Sequence, residues 1–142
     1  MGTVRHILER KGGTVYTVSP DTTVYDALET LENKNVGALI VVENGTFFGL
    51  FTERDYARKV ILRGRSSKET RVRDIIAERT PYVTLDTSIE QCMELMTEKY
   101  VRHLPVLNEG GVCGIISIGD VVKYIIDEKD YIIDNLRNYI VS

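Results

Sequence analysis

Two short groups combine side chains that could do chemistry: Thr52-Glu53-Arg54-Asp55 and Ser117-Ile118-Gly119-Asp120, each a hydroxyl followed three residues later by a carboxylate. At the start of a helix this spacing puts both side chains in the first turn. The backbone N–H groups there lack intrahelical partners and favour an anion. A carboxylate can accept two hydrogen bonds from a vicinal diol, while the hydroxyl and N–H groups can meet a phosphate. That combination suits a ribonucleotide. The same spacing serves equally well as a plain helix cap with no further role. The functional reading gains weight because the chain writes the group twice in matched surroundings.

Other catalytic signatures are missing from the sequence. It contains no Gly-rich phosphate loop or dinucleotide fingerprint. His6, His103, Cys92 and Cys113 lack metal-ligand spacing, and no serine sits in a nucleophile elbow. His103 is left either as a strand residue satisfied by a backbone group or as the general base of a small nucleotide-processing enzyme. The balance favours a protein that is not an enzyme, and no metal is expected except Mg carried by a nucleotide.

The elements that must position these groups also come in pairs. Gly49 to Asp55 returns as Gly114 to Asp120, an offset of 65 residues, and Val36, Leu39, Val41 and Gly45 align with Val101, Leu104, Val106 and Gly110. Upstream, Val24, Ala27, Leu28 and Leu31 face Ile89, Cys92, Met93 and Met96. Such a repeat implies two copies of one supersecondary unit, neither able to bury its apolar face alone.

In the first copy, Thr3 opens a helix carrying Val4, Ile7 and Leu8, which Gly12 and Gly13 stop; its echo at Val72 to Ile76 comes at an offset of 68. Thr14 to Val18 reads as extended, and Asp21 or Thr22 as the cap of the Val24 helix. Ala38 to Val42, the turn Glu43-Asn44-Gly45 and Thr46 to Phe51 form a hairpin of type I′. In the second copy, Tyr82 and Val83 are the extended piece and Asp86 or Thr87 the helix cap. Leu104 to Leu107 and Val112 to Ile116 then form the hairpin, with Pro105 marking an edge or a bend. The fold class is α/β of the α+β kind. Its parts are a first unit over 1–65, a second over 66–127 and a C-terminal helix over 128–142. The apolar side of that helix, with Ile132, Ile133, Leu136, Tyr139 and Ile140, must pack on its own domain, a dimer mate or another partner.

With 43% hydrophobic and 27% charged residues the chain reads as globular, and a net charge of −3 argues against nucleic acid as the main partner. Eight of its cations cluster between Arg54 and Arg73, as a solvated linker or as an electropositive rim beside an anion site. Two cysteines within apolar segments read as buried thiols in a reducing compartment. The absence of an apolar leader or a membrane-length run makes a cytoplasmic protein the expectation.

The segments S-P-D-T-T-V-Y-D-A-L, N-V-G-A-L-I-V-V and G-L-F-T-E-R-D, with their counterparts L-D-T-S-I, R-H-L-P-V and G-I-I-S-I-G-D, resemble a tandem CBS-domain pair, or Bateman module, from about Val4 to Ile126. The resemblance implies a pseudo-two-fold packing of two CBS units and a homodimer. It also implies a regulatory role toward some target protein. Its clefts would bind adenosine-containing ligands such as AMP, ADP, ATP, NAD or S-adenosylmethionine. By that likeness Asp55 and Asp120 would hold ribose, with Thr52, Arg54 and Ser117 at sugar or phosphate. Thr17, Val18, Ala38, Tyr82, Val83, Arg102 and His103 would surround the base. Arg54 against Gly119 makes the first copy the phosphate candidate and the second a plain diol reader. A ligand-independent interaction or dimerisation module is the competing reading.

Overall fold

The computed structural model describes residues 2–76 and 79–141; Met1, Ala77, Glu78 and Ser142, which fall within the ranges expected from sequence, lie outside the described residues. The order is α1 (Val4–Lys11), β1 (Thr17–Val18), α2 (Val24–Lys34), β2 (Ala38–Glu43), β3 (Thr46–Thr52), α3 (Glu53–Lys59), 3-10 turns at Ile61–Arg63 and Val72–Asp74, α4 (Ile89–Lys99), β4 (His103–Asn108), β5 (Gly111–Ser117) and α5 (Ile118–Val141). The α+β class and the two repeated units are as the repeat implies.

Each unit is built on a hairpin closed by two residues of positive φ, Asn44 (52°) and Gly45 (78°) in one, Glu109 (53°) and Gly110 (82°) in the other. Those angles are the I′ turn, whose twist matches that of the strands it joins. β2 pairs antiparallel with β3, and β4 with β5, with register shifts at the equivalent places Val41/Val42 and Val106/Leu107. β1 adds a parallel edge to β2. Its counterpart is reduced to one bridge, Val83 to Val106. Proline explains the difference. Ile40 donates its N–H to the Tyr16 carbonyl at 2.9 Å; the equivalent residue is Pro105, which has no N–H to give.

The helices α2 and α4 start one or two residues later than expected. Thr23 caps α2 by accepting from the Asp26 N–H, and Ser88 caps α4 by accepting from the Gln91 N–H. The expected caps are engaged elsewhere: Asp21 pairs with Arg73 at 2.9 Å, Asp86 with Arg5 at 3.1 Å, and the Thr87 hydroxyl accepts from the Thr84 N–H.

Those ion pairs belong to an exchange of segments. α1 sends Val4 and Ile7 into the core of the second unit, among Ile89, Cys92, Met96, Leu104 and Ile116. The turn at Val72–Asp74 sends Val72 and Ile75 into the core of the first, among Val24, Leu31, Leu39, Val41 and Phe51. Bridges Thr3–Ser88 and Thr23–Arg71 seal the two crossings at equivalent positions. The units over 1–65 and 66–127 are therefore contiguous in sequence but interlocked in space. A third cluster, Ala38, Ile40 and Leu50 with Val112 and Ile115, joins the two hairpins. Burying side chains of this size is worth roughly 1.5–3 kcal/mol each, which is what holds the halves together.

The repeated glycines make the exchange possible. A Cβ at Gly114 would lie 2.8 Å from Leu8 Cδ1, and one at Gly49 would lie 3.2 Å from Ile76 Cδ1. Leu8 and Ile76 are equivalent residues of the exchanged segments, so each glycine clears the floor on which the other unit's lead rests.

The C-terminal part departs from expectation. The tail is no separate helix: α5 runs unbroken for 24 residues. Val121 and Tyr124 are buried, and Arg10 reaches Asp127 and Glu128 at 3.4 Å. Beyond that, the apolar side is open, from 46% exposure at Ile133 to 82% at Tyr139. The chain's own elements leave that side uncovered.

Candidate ligand clefts

Thr52 is the last residue of β3 and Ser117 the last of β5, so each hydroxyl stands where a strand turns into a helix. In the first copy the Asp55 N–H donates to Thr52 Oγ1 at 3.2 Å, and Asp55 Oδ2 accepts the Thr52 N–H at 3.0 Å. In the second, the Asp120 N–H donates to Ser117 Oγ at 3.1 Å and Asp120 Oδ2 accepts the Ser117 N–H at 2.8 Å. Both groups are therefore complete capping boxes, and Asp proves an adequate partner in place of Glu. Each box uses Oδ2. The boxes leave Oδ1 of both carboxylates for other partners, and an ionised carboxylate has lone pairs for about four donors.

Each carboxylate also has a lysine. Lys59 Nζ stands 3.6 Å from Asp55 Oδ1, one helical turn on, and donates to the Ile75 carbonyl at 2.8 Å. Lys11 Nζ, at the end of α1, donates to Asp120 Oδ2 at 2.7 Å and to the Ile115 carbonyl at 2.9 Å. Burial pushes the Asp120 carboxyl up, but the hydrogen bonds from Lys11 and Ser117 override it and hold the group below the ordinary carboxylate range. The i,i+4 spacing of Asp55 and Lys59 was readable in the sequence. Lys11 was not: it comes from a segment whose exchange onto the second unit no local pattern signals.

Two clefts open beside these boxes, and each is made by both units. The smaller, about 350 Å³, joins Ser117, Lys11 and His103 to Thr14, Val15, Tyr16, Lys34 and Ala38. The larger, about 700 Å³, joins Thr52, Arg54, Asp55, Arg58 and Lys59 to Thr80, Pro81, Lys99, Tyr100, Arg102 and His103. Thr52 and Asp55 thus face the extended segment and strand start of the second unit, and Ser117 those of the first. Gly37 and His103 line both clefts, and a Cβ on Gly37 would lie 3.3 Å from the His103 ring. They form a shared wall. Burial, then the Lys11 ammonium, lowers the His103 pKa below its ordinary value and so favours the neutral ring.

Of the residues singled out from sequence, Asp55, Thr52, Arg54, Arg102 and His103 come together in the larger cleft, and Ser117, Ala38 and His103 in the smaller, with Asp120 bound to its Lys11. Thr17, Val18, Tyr82 and Val83 line neither. Val18 packs on the first core, Val83 is buried in the second, and Thr17 and Tyr82 are exposed. The residues just before them, Thr14 to Tyr16 and Thr80-Pro81, take the places expected for them. Arg54 lines its cleft but is engaged, donating from Nη1 to the Tyr100 carbonyl at 3.0 Å. That bond closes the end of α4, whose last carbonyls lack helical partners. His103 is hydrogen-bonded to no acid among the described residues. Nor does any group of three or more His, Cys, Asp or Glu among them have the arrangement to hold a metal ion.

The family pattern described as CBS domain matches residues 4–62 and again residues 72–127. Among curated proteins, the mitochondrial CBS domain-containing protein CBSX3 of Arabidopsis thaliana is 40% identical over 97% of this chain and 71% of its own length. Among solved structures, a putative signal-transduction protein with CBS domains from Burkholderia ambifaria is 49% identical, with a TM-score of 0.84 over 88% of this chain and 94% of that one. A hexameric CBS-CP12 protein from bloom-forming cyanobacteria is 28% identical, with a TM-score of 0.76 over 84% of this chain and 66% of that one.

Proposed function

The chain belongs to the CBS-domain family as a tandem pair, and from that premise we propose that it is a non-catalytic regulatory module. It binds an adenosine-containing nucleotide in the clefts between its two units. The observation that carries this reading is the pair of capping boxes. Both Asp55 and Asp120 keep Oδ1 outside the box; Asp55 lines the larger cleft, and Asp120 stands behind Ser117 and Lys11, which line the smaller one. A ribose diol donating to Oδ1 would meet an acceptor already held in place, so little side-chain entropy is lost on binding. AMP, ADP, ATP, NAD and S-adenosylmethionine all present that diol. Mg enters only as the counter-ion of a polyphosphate.

Calorimetry with each of the five ligands tests the reading on the intact protein and on Asp55→Asn and Asp120→Asn, which keep a capping acceptor but lose the charge. Binding that weakens in either variant supports it. No heat with any ligand, in protein shown by native mass spectrometry to carry no bound nucleotide, sinks it in favour of an interaction module. Turnover of a nucleotide that stops in His103→Gln would instead establish an enzyme.

Regulation requires a second body. The open apolar side of α5 suits a second copy of the chain, and the cyanobacterial neighbour is described as a hexamer. Among the described residues no helix is long and apolar enough to cross a membrane. Two unbridged thiols, Cys92 raised by burial to about 11 and the half-buried Cys113, suit a reducing compartment such as the cytoplasm. The Arabidopsis relative is named as mitochondrial.

A further inference from the structure

The two clefts differ in charge as much as in size. Five cations line the larger one, Arg54, Arg58, Lys59, Lys99 and Arg102, against the carboxylates of Glu53 and Asp55. Arg54 and Lys59 are engaged with the Tyr100 and Ile75 carbonyls. Arg58, Lys99 and Arg102 are exposed, and their side chains make no hydrogen bond or ion pair among the described residues. They come from three elements: α3, the end of α4 and the residue before β4. Their convergence on one opening is therefore a product of the fold and not of a local run of charge. In the smaller cleft both lining cations are occupied, Lys11 by Asp120 at 2.7 Å and Lys34 over the Tyr16 ring at 5.2 Å.

We infer that the larger cleft takes a multiply phosphorylated ligand through Arg58, Lys99 and Arg102, while the smaller takes an uncharged nucleoside or a monophosphate. This rests on the nucleotide reading above and assigns its charge class cleft by cleft. Uncommitted cations facing a cleft with low-dielectric walls raise the local potential, and guanidinium groups can grip phosphate oxygens in pairs. About 700 Å³ accommodates a nucleoside together with a phosphate chain, whereas about 350 Å³ accommodates little beyond the nucleoside. Arg54, the basic residue that the sequence pointed to, is a structural clasp on α4 in this arrangement. The phosphate residues are its neighbours Arg58, Lys99 and Arg102.

The test is equilibrium binding of adenosine, AMP, ATP and inorganic tripolyphosphate to the full chain, to Arg58→Ala, Lys99→Ala and Arg102→Ala, and to Asp120→Asn. All three cations are exposed, and thermal melts check that each variant folds. ATP binding should weaken about tenfold or more in Arg58→Ala and Arg102→Ala, the loss of one charge-assisted contact. Adenosine binding at the smaller cleft should hold in those variants and fall in Asp120→Asn. Equal ATP affinity in all three cation variants and the intact protein overturns the inference while leaving nucleotide binding in place. Tripolyphosphate binding as tightly as ATP, lost in the same variants, upholds the cation site but removes the nucleoside from it. Absence of binding by all four ligands overturns both.

Discussion

Replacing Lys11 by Met isolates the contact that joins α1 to the second box. The ammonium donates to Asp120 Oδ2 and to the Ile115 carbonyl, and the two side chains of the pair are 34% and 24% exposed. A fully buried charge-assisted hydrogen bond contributes about 1.5–3 kcal/mol, and an exposed ion pair about 0–1 kcal/mol. This pair stands between those limits. Asp120 also keeps its bond from the Ser117 N–H after the substitution, so no buried charge is orphaned. The cost should be about 1 kcal/mol. For a chain of this size that lowers the melting temperature by roughly 3–5 °C.

Acid unfolding adds a second readout. The folded Asp120 carboxyl lies below its ordinary 3.8, so the unfolded chain binds the proton first as the pH falls. Its stabilisation is whole above about pH 4 and is lost as the pH drops toward the folded value. Without Lys11 the folded carboxyl moves back up toward 3.8, so the loss still begins near pH 4 but should be smaller and end at higher pH. A double-mutant cycle of Lys11→Met with Asp120→Asn then measures the coupling itself, expected at about 1 kcal/mol. A coupling near zero with an unchanged acid limb would refute the geometry argued for this pair.

Gly114→Ala should destabilise more than Gly49→Ala. Its Cβ would meet Leu8 at 2.8 Å where the other meets Ile76 at 3.2 Å. A loss of about 1–2 kcal/mol in urea unfolding is expected, and combining it with Leu8→Ala should cost less than the sum of the two single losses because the clash is gone; equal effects at both glycines would contradict the packing described. His103 should make stability fall between pH 6.5 and its lowered folded pKa, because the unfolded chain protonates first and the buried ring resists. Melting temperatures of His103→Gln, followed from pH 7.5 to 5, should lose that component of the slope. A slope identical to the intact protein's would place the ring in water.

Much of the site was legible because it is local. A hydroxyl and a carboxylate three residues apart after a strand form a capping box by chain geometry alone, so Thr52, Asp55, Ser117 and Asp120 needed no tertiary information. The hairpins were legible for the same reason and the first was legible as type I′ from Asn44-Gly45; the second takes the same turn although its Glu109 is a residue that sequence rules disfavour at positive φ. What escaped was non-local. The shift in offset from 65 to 68 marked the lead of the second unit as different, but nothing in it says that α1 lies on the second core. Lys11 therefore came as a finding, as did the crossed composition of the clefts. Val18 and Val83 were misplaced for a related reason. An extended segment alternates its faces, and a slip of one residue exchanges the cleft side for the core side.

The exchange also fixes how a cleft is mechanically connected. Asp120 sits in the first turn of α5, and the same helix carries Ile133, Leu136 and Ile140 on its open apolar side. A helix of 24 residues is about 36 Å long at 1.5 Å per residue. A tilt of about 5° at its base moves the far end by roughly 3 Å, enough to change which side chains meet across a packed surface. The base is clamped by Lys11 and by the buried Val121 and Tyr124, all of them in contact with α1 or the second core. An occupant of the smaller cleft alters that clamp only if it binds one tilt better than another. Competition with Lys11 for Asp120 supplies such a difference. A diol that takes Oδ1 alone leaves the ammonium in place, whereas one that takes both oxygens displaces it and frees the end of α1. The larger cleft has no such lever, since Asp55 belongs to the seven-residue α3 and its lysine lies on the same helix.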